Sequence, residues 1–247
     1  MEAWWRSIPP ITRTWVTAVA LIAVAARVGA LSPGVLAYDP ALVVRKFHVW
    51  RLVSPFFWFG RPSMGWLFQM MMLHNFGARL EADTFASGGG PGRGSTADFF
   101  WQLVLGAFAL LNLATAMGIP FLGPPLLAFV IYLWSRRHPE EEATFWFFRV
   151  PGAMLPWVMV GFSFLMGDDP VPDLLGIAAA HAYFYAVDVL PRAGGALAGV
   201  RLWLQTPAAV VRAFGDAPTG LAAPRPGTAR GPNPPAGHVW GGGQRLG

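Results

Sequence analysis

The sequence predicts an all-α membrane protein, a bundle of six transmembrane helices, and three observations carry that prediction. Mean hydropathy is +0.44. Charged residues make up 13% and hydrophobic residues 54% of the 247-residue chain, whereas a soluble domain carries about 25% charged residues. Apolar residues also run on without alternation for stretches of about 20, the length that takes a helix across a bilayer core. Barrel strands would alternate and last about ten residues. Twelve Trp and 19 Phe suit a chain whose rings lie at membrane–water boundaries.

The opening "MEAWWRSIPPITRTW" has neither an early uninterrupted apolar core nor a small-residue cleavage site, so no removable signal is predicted. The first span, 14–31, is expected to act as its own uncleaved signal. Five further spans are placed at 64–80, 98–117, 119–134, 145–166 and 171–190. Several are poor as membrane crossings. The fourth carries Pro124 and Pro125 near its start, and its apolar run amounts to about 24 Å of helix against a core of about 30 Å. The fifth holds Arg149, Pro151 and Pro156, and the first holds Arg27. A charge at the bilayer centre costs about 2.5–3.5 kcal/mol on insertion scales, so both arginines are expected to snorkel at span ends. The second span concentrates Gln69, His74 and Asn75, which argues for a polar, wet bundle interior beside that helix.

The connection 32–63 is too apolar for a solvated loop and too broken to span. Trp50, Phe56, Phe57, Trp58 and Phe59 stand beside Arg45, Lys46, Arg51 and Arg61. Aromatic bodies with cationic tips predict an interfacial first loop in the headgroup layer. The connection 81–97 is Gly-rich and flexible by composition, 135–143 is a short charged loop, and 166–172 is a tight acidic turn. Residues 194–215 read as a surface-lying amphipathic stretch broken by Pro207. From 216 onward Pro, Gly, Ala and Arg dominate, and such a segment buries too little to order itself. The domains are therefore 1–192 in the membrane, 193–215 as a juxtamembrane segment and 216–247 as a disordered tail.

Net charge is +5, but the arginines are scattered and form no stripe with interleaved aromatics, so nucleic acid is not a predicted partner. With six spans both termini share a side. Arg6, Arg13, Arg79, Arg93, Arg136, Arg137 and Arg192 lie on that side, which favours cytosolic termini once the interfacial loop is discounted. The absence of cysteine removes disulfides and thiol chemistry. No HExxH, P-loop or GxGxxG is present, and neither a metal nor a cofactor is predicted.

An intramembrane hydrolase would need a nucleophile and a base at bilayer depth. His181, mid-span in the sixth helix, is a candidate base. No Ser lies in the apolar run of the fourth span, where "GPPL" (123–126) stands in place of a Gly-x-Ser-Gly turn, and Ser163 lies near the end of the fifth. His181 then reads as a packed, hydrogen-bonded core histidine. Gly176 and Ala180 form a small-xxx-small pair of the kind that lets helices approach closely.

Taken together, "PPITRTW" (9–15), "RKFHVWRLVSPFFWFG" (45–60) with its Trp50–Arg51 pair, the loops "GARLEADTF…STADFFW" and "YLWSRRHPE", and "GIAAAHAYFYAVDVLP" (176–191) resemble the Derlin family. These are rhomboid-like pseudoproteases of the endoplasmic reticulum membrane. The resemblance implies a six-helix rhomboid-like fold in which Trp50–Arg51 is the loop's WR motif. It departs from the family at the sixth span, where GxxxG reads Gly176-xxx-Ala180. His181 sits where active rhomboids keep their catalytic histidine, and the missing serine implies a protein that is not an enzyme.

The last residues, Trp240, Gly241, Gly242, Gly243, Gln244, Arg245, Leu246 and Gly247, resemble the SHP box with which Derlins recruit the cytosolic AAA ATPase valosin-containing protein. Trp240 and Leu246 would fill pockets, the glycines would let the backbone lie close to the partner, and Arg245 would meet acidic groups. The resemblance further implies endoplasmic-reticulum-associated degradation. The expected partners are misfolded proteins as cargo, a membrane ubiquitin ligase complex, the bilayer itself, and other copies of the chain. Two other classes define the alternatives: an active rhomboid-type serine protease, which would need a hydroxyl beside His181, and a small transporter, which would need an inverted repeat with matched broken helices.

Overall fold

Where each apolar run becomes helix is decided largely by proline. The computed structural model describes residues 5, 8–82, 96–145, 148–190 and 204–214. Helix α1 spans Pro10–Arg27, four residues earlier than the apolar run suggests. Pro10 occupies the first helical position, where its fixed φ suits a helix and no N–H is needed. Helix α2 (Pro33–Leu36) and helix α3 (Pro40–Lys46) begin the same way. Two 3₁₀ turns, Val49–Leu52 and Ser54–Phe57, complete the first connection. Helix α4 is Met64–Ala82 and helix α5 is Thr96–Met117. Helix α6 is Gly123–Arg137, not 119–134, because Pro124 and Pro125 are tolerated only in a first turn and so set where the helix begins.

The fifth predicted span is corrected most. Residues 145–166 are not one helix. Strands β1 (Glu142–Phe145) and β2 (Phe148–Pro151) form an antiparallel hairpin with Thr144 opposite Arg149. A 3₁₀ turn, Gly152–Met154, then leads into helix α7, Leu155–Leu165. The local pattern has the period of a strand: Ala143, Phe145 and Val150 are buried while Glu142, Thr144, Arg149 and Pro151 face out. Arg149 therefore snorkels from no helix; it is exposed on β2, 3.6 Å from Glu142. Helix α8 is Val171–Phe184 and continues as a π-helical turn over Tyr185–Val189. Pro207 directly precedes a short helix, α9 (Ala208–Ala213), of which only Val211 is buried.

The described part is mostly helical, as an all-α membrane protein would be, with the small hairpin added. Among the described residues one helix, α5, is long and apolar enough to cross a membrane. Helices α6 and α7, of 15 and 11 residues, give about 22 and 16 Å at 1.5 Å per residue.

Helix α6 is the axis of the bundle. From Leu126 to Ser135 every residue is buried, as befits a helix surrounded on all sides. Its main partner is α8. A Cβ built on Gly176 would collide with the Pro125 carbonyl oxygen and stand 2.7 Å from the Ala128 Cβ, and Ala180 is fully buried beside it. At Gly106 of α5, a Cβ would sit 2.7 Å from the Phe129 ring. Removing the side chain at these points is what lets backbones come this close.

The start of α1 is capped from another helix. Pro9 offers no side-chain cap. The Glu81 carboxylate, buried at the end of α4, accepts from the N–H groups of Ile11 (2.9 Å) and Thr12 (2.8 Å) and from the Thr12 hydroxyl (2.8 Å). With proline at both 9 and 10, the first turn leaves only the Ile11 and Thr12 N–H groups free; the carboxylate satisfies both and complements the positive dipole end.

Three substitutions test these contacts through stability. Gly176→Leu overpacks the α6–α8 contact and is expected to lower stability by about 1–3 kcal/mol. Gly161→Ala, where the added methyl meets open space, should be near neutral. Glu81→Gln loses a charge-assisted cap and is expected to cost about 1–3 kcal/mol. Thermal unfolding of the purified protein in detergent measures each.

Candidate functional site

The first connection is fastened from inside by its own arginine. The short helix α2 ends with carbonyl groups that have no intrahelical partner. Arg51, 9% exposed, donates from Nη1 to the Gly34 oxygen (2.9 Å) and the Ala37 oxygen (2.5 Å). Ser54 Oγ donates to the Leu36 oxygen (3.0 Å). One cation thus gathers a helix C-terminus, where positive charge is favoured. The connection is tied onward by the Tyr38 N–H to the Pro120 oxygen (2.7 Å) and the Leu122 N–H to the Pro55 oxygen (3.0 Å). Trp15 Nε1 donates to the Phe56 oxygen (3.2 Å).

Of the aromatics placed in the interface by the sequence, Phe56, Trp58 and Phe59 are buried in the core instead, and Gly123 packs against the Trp58 backbone and the Phe59 ring. Trp50 is 47% exposed and stacked on His48 with ring centroids 4.4 Å apart. The two members of the pair therefore face opposite ways, Arg51 inward and Trp50 outward.

Next to this connection the bundle opens into a cleft of about 350 Å³ bordered by Trp58, Arg61, Trp66, Gln69, Asp168 and Asp173. Ser163 Oγ donates to Asp173 Oδ2 at 2.5 Å, and a pocket of about 30 Å³ beside them is shared with Gln69. Gln69 Oε1 is buried without a hydrogen-bond partner among the described residues. Of the three polar residues read from the second span, Gln69 borders this cleft. His74 Nδ1 and Asn75 Oδ1 lie 3.2 Å apart, half-buried and further along the helix.

His181 is not buried as a core histidine would be. It is exposed, and its Nδ1 lies 2.6 Å from the Tyr132 hydroxyl. The 123–126 turn does not reach it: Pro125 lies against Gly176, and Tyr132 is seven residues further along α6, about 10 Å. Ser163 is bound to Asp173, eight residues before His181 on α8 and about 12 Å away along the axis. Ser135, buried near the end of α6, donates its hydroxyl proton back to the Tyr132 oxygen at 2.9 Å. His181 thus has the Tyr132 phenol as its hydrogen-bond partner.

The opposite end of the bundle holds a second polar group that the sequence reading missed. Arg137 Nη2 lies 3.3 Å from Asp188 Oδ2 in the π-helical turn, and its Nη1 lies 3.4 Å from Gln102 Oε1. Thr206 Oγ1 donates to Asp98 at 2.5 Å, and Trp101 Nε1 donates to the Leu204 oxygen (3.2 Å), docking the segment that carries α9 onto α5. The readable signal was polar residues inside apolar runs: Asp98, Gln102, Asp173 and Asp188. Among the described residues no three His, Asp or Glu side chains converge to hold a metal ion. Trp240, Gly241, Gly242, Gly243, Gln244, Arg245, Leu246 and Gly247 lie outside the described residues, as do 193–203.

Comparison with known proteins gives one consistent result. The Der1-like family profile matches residues 8–208. Derlin-2.1 of Zea mays is 35% identical over 228 residues, covering 87% of this chain and 87% of the relative. Derlin-2.2 of Arabidopsis thaliana is 34% identical over 236 residues, covering 91% and 92%. Derlin-1 of the same plant is 33% identical over 206 residues, covering 82% and 73%. With the match running from the first helix through the docked segment after α8, the chain belongs to the Der1-like family, the Derlins.

Proposed function

We propose that this protein is a non-catalytic component of endoplasmic-reticulum-associated degradation that helps misfolded proteins leave through a locally thinned bilayer. The observation that carries the reading is the shortness of α6 and α7, 15 and 11 residues. They give about 22 and 16 Å of helix where a hydrocarbon core is about 30 Å thick. A short apolar span is accommodated by thinning the bilayer around it. Polar groups at both ends support the same reading. The cleft with Gln69, Ser163 and Asp173 lies at one end, and Arg137, Gln102 and Asp188 lie at the other. Between them a polar cargo segment would cross less hydrocarbon than in an undisturbed membrane, where each unpaired backbone group costs several kcal/mol.

In this reading both termini are cytosolic, and the cleft and first connection face the lumen. The hydrogen bond between His181 and Tyr132 supports a pseudoprotease, with the pair as a structural link between α6 and α8. Force for extraction comes from a valosin-containing-protein-type ATPase held by the 240–247 tail. The 216–239 segment acts as a tether that raises the ATPase's effective concentration at the membrane. A membrane ubiquitin ligase complex marks the cargo.

Arg51 holds the connection in shape for this task. Replacing Trp50 and Arg51 by Ala is expected to lengthen the half-life of a misfolded lumenal reporter in cells. An unchanged half-life at normal protein level would remove the connection from the mechanism. A synthetic 238–247 peptide is expected to bind the ATPase's N-terminal domain in a calorimetric titration, and Leu246→Ala to abolish the heat. A wild-type peptide giving no heat would refute the tail assignment.

A further inference from the structure

The cleft beside α4 holds two polar atoms for which the described protein supplies no partner. Trp66 Nε1 and Gln69 Oε1 are both buried, and neither makes a hydrogen bond among the described residues. The first can only donate and the second can only accept. They stand three residues apart, hence on one face of the helix, and both residues border the cleft of about 350 Å³. Buried polar groups are nearly always paired. A donor and an acceptor left over on the same wall therefore point to a ligand from outside the chain.

The walls of the cleft are held in place. The Trp66 N–H donates to Ser63 Oγ (3.1 Å), which anchors the first turn of α4. On the facing side Asp173, 7% exposed, accepts from Ser163 Oγ, and the Asp169 carboxylate accepts from the Val171 N–H (3.0 Å). The Trp58 and Phe121 rings, with centroids 6.0 Å apart, supply an apolar side.

The chemistry of the ligand follows from this combination. Arg61 borders the cleft together with Asp168, Asp169 and Asp173, so an ion of either sign meets a like charge there and a neutral molecule does not. The ligand must satisfy a donor and an acceptor side by side, and a hydroxyl group can do both. It must also offer C–H surface to aromatic rings. A hexopyranose has these properties: no charge, a ring of hydroxyls and apolar C–H faces. The cleft has the volume of a small-molecule site.

We propose that this cleft is a carbohydrate site: Trp66 donates to and Gln69 accepts from hydroxyls of a neutral hexopyranose whose ring packs on the aromatic side. The site stands on the cleft's own groups. Only its access to lumenal sugars, on a glycoprotein or on a glycolipid, rests on the proposed orientation in the membrane.

The test uses the full-length protein in a zwitterionic detergent that carries no sugar. Saturation-transfer NMR is recorded with the methyl glycosides of mannose, glucose, galactose and N-acetylglucosamine. At least one of them is expected to take up saturation at its ring protons. Trp66→Phe keeps an aromatic ring and removes the N–H, and Gln69→Leu removes the acceptor. Each is expected to weaken binding about tenfold, and either serves if the other fails to fold. Gly161→Ala, whose methyl meets open space, is expected to bind as the wild type does. Absence of transfer to all four glycosides would overturn the site, and so would undiminished binding by the folded variants at 66 and 69.

Displacement of the glycoside by a glycopeptide would assign the sugar to cargo, and displacement by a glycolipid in the micelle would assign it to a membrane lipid; both uphold the site. Displacement by the same peptide stripped of its sugar would mean that polypeptide fills the cleft, which overturns it. The measurement involves neither degradation nor a bilayer, so its failure leaves the proposed function standing.

Discussion

Helix α8 can lie on α6 only because residue 176 has no side chain, and much else in the molecule inherits its position from that contact. Gly176 meets Pro125, His181 meets Tyr132, and Asp188 meets Arg137. The partner numbers advance in step, so the two helices run parallel in one register from the cleft to the far end. A slip of one residue would rotate α8 by about 100° relative to α6 and separate all three pairs together. The small side chain at Ala180, fully buried, continues the same seam with one methyl more than glycine. The departure from the family's paired glycines therefore sits inside a close contact that the other residues of the seam preserve.

The polar groups divide into those that hold the structure and those that line open space. Glu81 and Arg51 belong to the first kind. Each is buried and meets backbone groups at a helix end, where an unpaired group would cost most in a medium without water. Gln69 belongs to the second kind: its oxygen is buried at the edge of a cleft and has no partner among the described residues. Between these ends the stretch of α6 from Leu126 to Leu133 is buried among apolar neighbours. Along α6 the bundle is largely apolar in its middle and polar at its ends.

What could be read from the sequence was the placement of apolar runs and the motifs that mark the family. Continuous hydrophobicity located a helix within each of the six predicted stretches, and proline chemistry, applied more strictly, would have placed the starts of α1 and α6. The hairpin over 142–151 was missed because Phe-rich strand and Phe-rich helix look alike over a few residues; only the alternation of Ala143, Phe145 and Val150 with exposed neighbours separates them. The inward turn of Arg51 was not legible, because its partners are carbonyl groups at the end of α2 that lie 14 and 17 residues away in the chain. Long-range pairs such as Thr12 with Glu81 or Tyr132 with His181 carry no local pattern at all. They arise from tertiary packing, so a single sequence offers only the hint of a polar residue in an apolar run.

The cap at the start of α1 bears on how the chain is made. Its acceptor, Glu81, emerges from the ribosome some 70 residues after the N–H groups it serves. Until then the leading turn of the first helix has water or lipid headgroups as its only partners. The start of α1 is therefore completed only by α4, a helix made later, and Glu81 ties the placement of the one to that of the other.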